Sequence, residues 1–156
     1  DYANTPQIER KPSDLNAIIN QSISLYDAQK DLNIVFDLSD NIPSLLLDSS
    51  SLSRLLINLV KNSAESSSNK EITVNIVTQY FPDKNLVRLS VTDDGEGFNQ
   101  EVLDRVFEPY VTTKIKGSGL GMAIVQNIIE QHDARIFASN IKPHGAKIVI
   151  EFDHQV

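Results

Sequence analysis

From Leu52 to Ser63 apolar residues recur at helical spacing, and the residues between them are polar. At 3.6 residues per turn, Leu52, Leu55, Leu56, Leu59, Val60 and Ser63 share one broad face, while Arg54, Asn58, Lys61, Asn62 and Glu65 fall on the other. A helix over about Ser51–Ser66 with this pattern needs a second layer to cover its apolar face. The next stretch supplies strands for that layer. Glu71 to Tyr80 and Asn85 to Thr92 read as two strands joined at Phe81-Pro-Asp-Lys84, a hairpin.

The remaining elements fit the same plan. Ser13 or Asp14 can cap a helix from about Leu15 to Gln29, with Leu15, Ile18, Ile19, Ile23 and Tyr26 at helical spacing. Leu32 to Leu38 alternates as a strand, Asn41-Ile-Pro43 turns, and Ser44 to Leu47 is a second short strand candidate. Asp48 to Ser51 offers several N-caps for the following helix. From Asp93 to about Gly119 regularity breaks down, with only Gln100 to Val106 briefly helical. A loop this long inside one domain is usually functional. Leu120 to Gln131 is a third helix, closed by Asp133, and Arg135 to Ser139 with Lys147 to Phe152 form a closing strand pair. The expected fold is α+β: a two-layer α/β sandwich whose mixed, mostly antiparallel sheet is covered on one face by about three helices.

A chain of 156 residues is one domain with a real core. Residues 1–13 read as a linker and 14–153 as the folded domain. The start at Asp1, without Met, points to a piece of something longer. A formal charge of -7 argues against nucleic acid and anionic membrane as partners. It does not argue against a nucleotide, whose phosphates need only a few local donors and a metal ion. The absence of cysteine excludes disulfides and thiolate metal sites. No apolar run approaches the ~20 residues of a membrane helix, and no signal peptide opens the chain. A cytoplasmic setting is compatible.

Three polar clusters carry the chemistry. In Asn58-Leu-Val-Lys-Asn62 the two Asn lie one helical turn apart and project from the same side. Their amide oxygens suit Mg²⁺, their NH₂ groups can donate to phosphate, and Lys61 and Arg54 add positive charge. Alone, this is also what a solvated helix face looks like. Asp93-Asp-Gly-Glu-Gly97 ends an apolar strand. A carboxylate there can accept from an amino group such as that of adenine, and Gly95 and Gly97 let the backbone come close. Alone, Asp-Gly is a common turn; a calcium loop fails on spacing. Gly117-Ser-Gly-Leu-Gly121 opens the third helix, where N–H groups and the helix dipole favour phosphate. A hinge has similar composition. The Rossmann spacing and the Gly-Lys-Ser/Thr of a P-loop are both missing. Between the last two clusters, Val106-Phe-Glu-Pro-Tyr-Val-Thr-Thr-Lys114 reads as a lid.

In this order the clusters resemble the N, G1, F and G2 boxes of the ATP-binding domain of the histidine kinases, in the superfamily that also holds gyrase B, Hsp90 and MutL. The likeness covers about residues 12–152. Phe-Glu-Pro-Tyr-x-Thr-Thr-Lys, with Asn-Ser-Ala-Glu-Ser after the second Asn, most resembles the nitrogen-regulation (NtrB/NtrY-like) sensors. The resemblance implies a Bergerat-type fold that takes ATP and Mg²⁺. Asn62 would ligate the metal and Asn58 would assist, with Lys61 beside them. Asp93 would take the adenine amino group, and Gly95 and Gly97 would shape that wall. Phe107, Thr113 and Lys114 would belong to the lid. Gly117, Gly119, Leu120 and Gly121 would hold the phosphates. The implied partners are a dimerisation and phosphoacceptor domain of the same parent, itself a homodimer, and a response regulator; the chain by itself would be a monomer without membrane contact, and the resemblance allows a parent anchored in the inner membrane.

Two residues depart from the pattern. Asp94 stands where an Asn is usual, and Glu65 where many relatives have Lys. Asn58 has a further consequence. Hydrolysing relatives place a catalytic Glu at that point, and Asn is no general base. Poor hydrolysis is expected, with γ-phosphoryl transfer to a presented nucleophile instead. None of His132, His144 and His154 resembles an acceptor, so the nucleophile lies outside this chain. A serine kinase of the anti-sigma type and a degenerate nucleotide-binding docking module share the same boxes and are the alternative readings.

Overall fold

The computed structural model describes residues 7–24, 31–66, 71–108 and 121–154. Three helices, α1 (Leu15–Ile23), α2 (Ser49–Ala64) and α3 (Gly121–Gln131), lie on one face of a five-stranded sheet. Its strands are β2 (Leu32–Leu38), β4 (Ile72–Phe81), β5 (Leu86–Asp93), β6 (Arg135–Asn140) and β7 (Ala146–Asp153), in the order β2-β4-β5-β7-β6. Among the described strands of this sheet only β2–β4 pair in parallel; β4–β5, β5–β7 and β6–β7 are antiparallel. The expected α+β sandwich is the observed one.

Strand alternation decides which sheet face is covered. In β4, Ile72, Val74, Ile76 and Thr78 point inward and are buried, as are Val87, Leu89 and Val91 of β5. They meet the apolar face of α2, where Leu52, Leu55, Leu56 and Val60 are fully buried. The opposite sheet face carries a charged row in which Arg88 and Arg135 both reach Glu151.

Caps set the helix starts. Asp14 accepts from the Ala17 N–H, and Asp48 from the Ser51 N–H. Of the N-caps on offer for α2, Asp48 is the one used, so that helix begins two residues earlier than its apolar pattern suggests. The part of α1 expected beyond Ser24 lies outside the described residues. Gln100 to Val106 holds a single 3-10 turn, Leu103–Arg105.

The lead-in differs from its reading as a linker. Lys11–Ser13 forms a strand, β1, antiparallel to β3 (Leu45–Leu47), as a separate two-stranded ribbon. Three residues around an exposed proline are too few to show alternation, and only the distant partner makes them a strand. Glu9 N–H donates to Asp48 at 2.7 Å, and Arg10 reaches Asp133 at 3.3 Å. The lead-in is thereby tied to the start of α2 and the turn after α3.

His132 sits at that junction, buried. Its Nε2 accepts the Asp48 N–H at 3.0 Å, so Nδ1 carries the proton and donates to the Ile128 carbonyl at 2.8 Å. Both ring nitrogens are used only by the neutral ring. Burial pushes its pKa below the ordinary 6.5. In the unfolded chain His132 takes up a proton near pH 6.5; in the folded chain it does so only at lower pH. The unfolded state thus binds more protons between the two values, and stability present above pH 6.5 falls as the pH drops below it. Urea midpoints followed from pH 7.5 to 5 should show this decline. His132→Ala should flatten it and lower stability by about 1–3 kcal/mol at neutral pH. An unchanged slope in the variant would assign the decline to other groups.

Candidate nucleotide site

Helix α2 and the turn after it reach Gly121 and Gly95. Near the middle of the helix, Asn58 donates through Nδ2 to the Arg54 carbonyl at 2.9 Å. That bond orients the amide, and Oδ1 faces the start of α3. A Cβ built on Gly121 would stand 3.2 Å from this oxygen. Just past the end of α2, Ser66 fills the space beside Gly95, where a Cβ would collide with the Ser66 hydroxyl. The Glu96 N–H also points to the Ser66 carbonyl at 3.4 Å. Asn58, Gly95 and Gly121, far apart in the chain, are therefore all reached from α2 or the residues just after it.

Asp93 ends β5 with its side chain inside the protein, 4% exposed. Gly95 N–H and Ala146 N–H donate to its Oδ1 at 3.0 and 3.2 Å. Both hydrogen bonds from described residues end on the same oxygen, Oδ1. Strand β5 brings Asp93 to the sheet end, and the neighbouring β7 supplies Ala146. Asp94 points elsewhere: its Oδ1 accepts the Thr73 N–H at 2.8 Å. The charge that departs from the usual Asn is thus engaged by the backbone of β4.

Glycine is needed at 95 and 97 for the packing of the loop itself. At Gly97, φ is +80, and a Cβ would lie 2.8 Å from Asn140 Oδ1 and 2.9 Å from the Gly145 carbonyl. Protein atoms fill the space at both positions. The glycines permit the loop to pack, and the packing shapes the wall.

Asn62 follows Asn58 by one turn and is half-buried; Lys61 is exposed in the last turn of α2. Phe107 packs against the core next to buried Val106. Thr113, Lys114, Gly117, Gly119 and Leu120 lie outside the described residues, as does Tyr110. Gly121 opens α3. His144, which reads as a plain turn residue, has Nδ1 3.0 Å from the Gly95 carbonyl and so donates to it. Ser66, Asn140, Gly145 and Ala146 also belong to this site. The placing of Asn140, Gly145 and Ala146 depends on β7 lying beside β5, which no local pattern announces; the one hint is the Pro143-His-Gly145 turn.

The residues suit a magnesium–nucleotide. Gly121 leaves open the space a side chain would fill, a neutral oxygen of Asn58 borders that space, and a helix N-terminus favours phosphate. Among the described residues no group of three or more His, Cys, Asp or Glu could hold a metal by itself. Any cation here would share its ligands with phosphate, as Mg²⁺ commonly does.

Comparison with known proteins gives the family. The family described as "Histidine kinase-, DNA gyrase B-, and HSP90-like ATPase" matches residues 47–156. The sensor histidine kinase ZraS of Escherichia coli O157:H7 is 33% identical over 140 residues, covering 88% of this chain and 30% of ZraS. A putative NtrY-like sensor histidine kinase of Rickettsia bellii is 34% identical over 159 residues, covering 97% of this chain and 25% of the relative. The chain thus spans less than a third of the length of these relatives. The crystal structure of full-length ShkA in complex with AMPPNP superposes with a TM-score of 0.78 at 25% identity, over 94% of this chain and 31% of ShkA. Family match and fold lead to one conclusion: the chain belongs to the histidine kinase-, DNA gyrase B- and HSP90-like ATPases.

Proposed function

We propose that this chain binds ATP with Mg²⁺ and passes the γ-phosphoryl group to a histidine on a dimerisation domain of the same parent protein. The observation that carries this reading is Asn58. It stands one turn before Asn62, its nitrogen is tied to the Arg54 carbonyl, and its oxygen faces the start of α3. A neutral amide there can orient phosphate and metal but cannot take a proton from water. ATP is therefore held without rapid hydrolysis until a nucleophile arrives.

In this reading Asp93 accepts the amino group of adenine, with Gly95 and Gly97 forming the loop beside it. Asn62 and Asn58 hold Mg²⁺, with Lys61 near the phosphates. Gly117, Gly119, Leu120 and Gly121 close around the phosphates, and Phe107 anchors a lid that includes Thr113 and Lys114. Magnesium, when bound, offsets phosphate charge. The chain's own contribution is positioning: a base held at Asp93 fixes where the phosphates fall, and the start of α3 supplies N–H donors. The bond from the γ-phosphorus to the bridging oxygen breaks, a phosphorus–nitrogen bond to the acceptor imidazole forms, and ADP leaves.

The reading extends to partners. Residues ahead of β1 would lead from the acceptor domain of a homodimeric parent, and a response regulator would receive the phosphoryl group next. Among the described residues no helix is long and apolar enough to cross a membrane. The reading places the domain on the cytoplasmic side, where ATP is found.

Radiolabelled γ-phosphate ATP, mixed with this chain and a separately supplied acceptor-helix domain, tests it. Label should pass to the acceptor histidine, and ATP turnover by the chain alone should stay slow. Asn62→Ala should lower transfer about a hundredfold, the scale of losing one charge-stabilising contact. Rapid hydrolysis without acceptor would overturn the reading.

A further inference from the structure

The turn joining β6 to β7 grips the loop after Asp93 at two points. At one end, Ala146 N–H donates to Asp93 Oδ1 at 3.2 Å. At the other, Asn140 holds Phe98 by both of its backbone groups. The Phe98 N–H donates to Asn140 Oδ1 at 2.7 Å, and Asn140 Nδ2 donates to the Phe98 carbonyl at 2.8 Å. A side-chain amide thus imitates the paired bonds of a neighbouring strand across a separation of 42 residues. Gly97 is squeezed between, with φ +80 and no room for a Cβ beside Asn140.

Phe98 follows directly on Gly97, at the end of the glycine loop. The segment 94–97 has Asp93 at one end and Phe98 at the other, and the same turn holds both. Inside the turn, Ile141 N–H donates to the Gly145 carbonyl at 3.0 Å, which keeps the two grips at a set separation.

We infer that Asn140 is a positioning residue for nucleotide binding: by clamping Phe98 it sets the glycine loop against the base. This rests on the nucleotide reading above and adds a residue to it. Asn140 does not touch the nucleotide; it acts through Gly97 and Phe98. Its loss should weaken base binding and leave the metal's share of the affinity untouched, because Asn58 and Asn62 sit on α2, on another side of the site.

The test is calorimetric titration of the chain, Asn140→Ala and Asn140→Asp with ATP, each with and without Mg²⁺, together with thermal unfolding and hydrogen exchange at the Phe98 amide. Asn140→Ala removes both bonds and should bind ATP about tenfold more weakly, the scale of one or two hydrogen bonds. Its ratio of affinities with and without Mg²⁺ should match the wild type, its unfolding midpoint should change little, and the Phe98 amide should exchange faster. Asn140→Asp keeps the acceptor for Phe98 N–H and loses the donor to the carbonyl, so it should fall on the same side with the shape preserved. Should the alanine variant not fold, the aspartate variant decides. Wild-type binding with undiminished affinity in a folded variant overturns this inference alone. A loss of affinity that comes with a matching loss of stability and a changed Mg²⁺ ratio overturns it in favour of a general structural role. A wild-type chain that ignores ATP overturns the nucleotide reading, and this inference with it.

Discussion

Asp93→Asn is expected to weaken ATP binding about a hundredfold while leaving the fold intact, because it can keep both hydrogen bonds that Asp93 accepts from described residues. The two internal hydrogen bonds, from Gly95 and Ala146, fall on Oδ1. An asparagine can keep both with its own Oδ1. Its NH₂ then replaces Oδ2 and turns a donor toward the amino group of adenine, so a charge-assisted bond becomes a clash of donors. Hydrogen bonds to charged groups are worth about 1.5–3 kcal/mol, and an unmatched buried donor adds to the loss. Calorimetric titration measures the affinity, and thermal unfolding checks the fold. Unchanged affinity in a folded Asp93→Asn chain would mean the base sits elsewhere.

Gly145→Ala should cost about 3 kcal/mol of stability and disturb the site as well. Gly145 has φ +131, a conformation that side chains rarely adopt, and its missing Cβ points at the Asp93 backbone carbonyl and at Ile141. The collision is with backbone, which cannot swing aside as a flexible side chain could. Strain of this kind costs about 1–3 kcal/mol before any shift of neighbours is counted. For a chain of this size the unfolding midpoint should drop by roughly 6–12 °C. Any relaxation must push on the Asp93 carbonyl, so the surviving folded fraction should also bind ATP less tightly. Thermal unfolding and titration of the same sample read both effects. A midpoint equal to wild type would show that the turn can rearrange without strain.

The layers of this fold were legible because each element buries one face. Leu52, Leu55, Leu56, Leu59 and Val60 repeat at helical spacing, and that face is the buried one. The strands of the central hairpin alternate and pair as an antiparallel ladder from Val74↔Asp93 to Phe81↔Leu86. The polar clusters were legible for a related reason. Asn, Asp and Gly at the ends and polar faces of apolar elements are poor choices for packing, so their order points to a ligand.

Other features had no local signature. The ribbon of Lys11–Ser13 with Leu45–Leu47 joins two stretches too short to alternate. The tautomer of His132 follows from Asp48, far away in the chain. For Gly95 and Gly97 the sequence suggested close approach of the backbone, and for Gly145 it offered no reason. The atoms beside these glycines belong to Ser66, Asn140 and Asp93, brought in from the turn after α2, from β6 and from β5.

By itself the sequence determined the elements, their buried faces, and the residues with chemistry to offer, since periodicity and residue type act over one or two turns of chain. Only the tertiary structure decided how those residues are held. The order β5-β7-β6 sets Ala146 against Asp93 and Asn140 against Phe98, and the packing of α2 sets Asn58 beside Gly121 and Ser66 beside Gly95. Hydrogen bonds and steric limits between distant segments depend on which surfaces meet, and that is settled when the core closes.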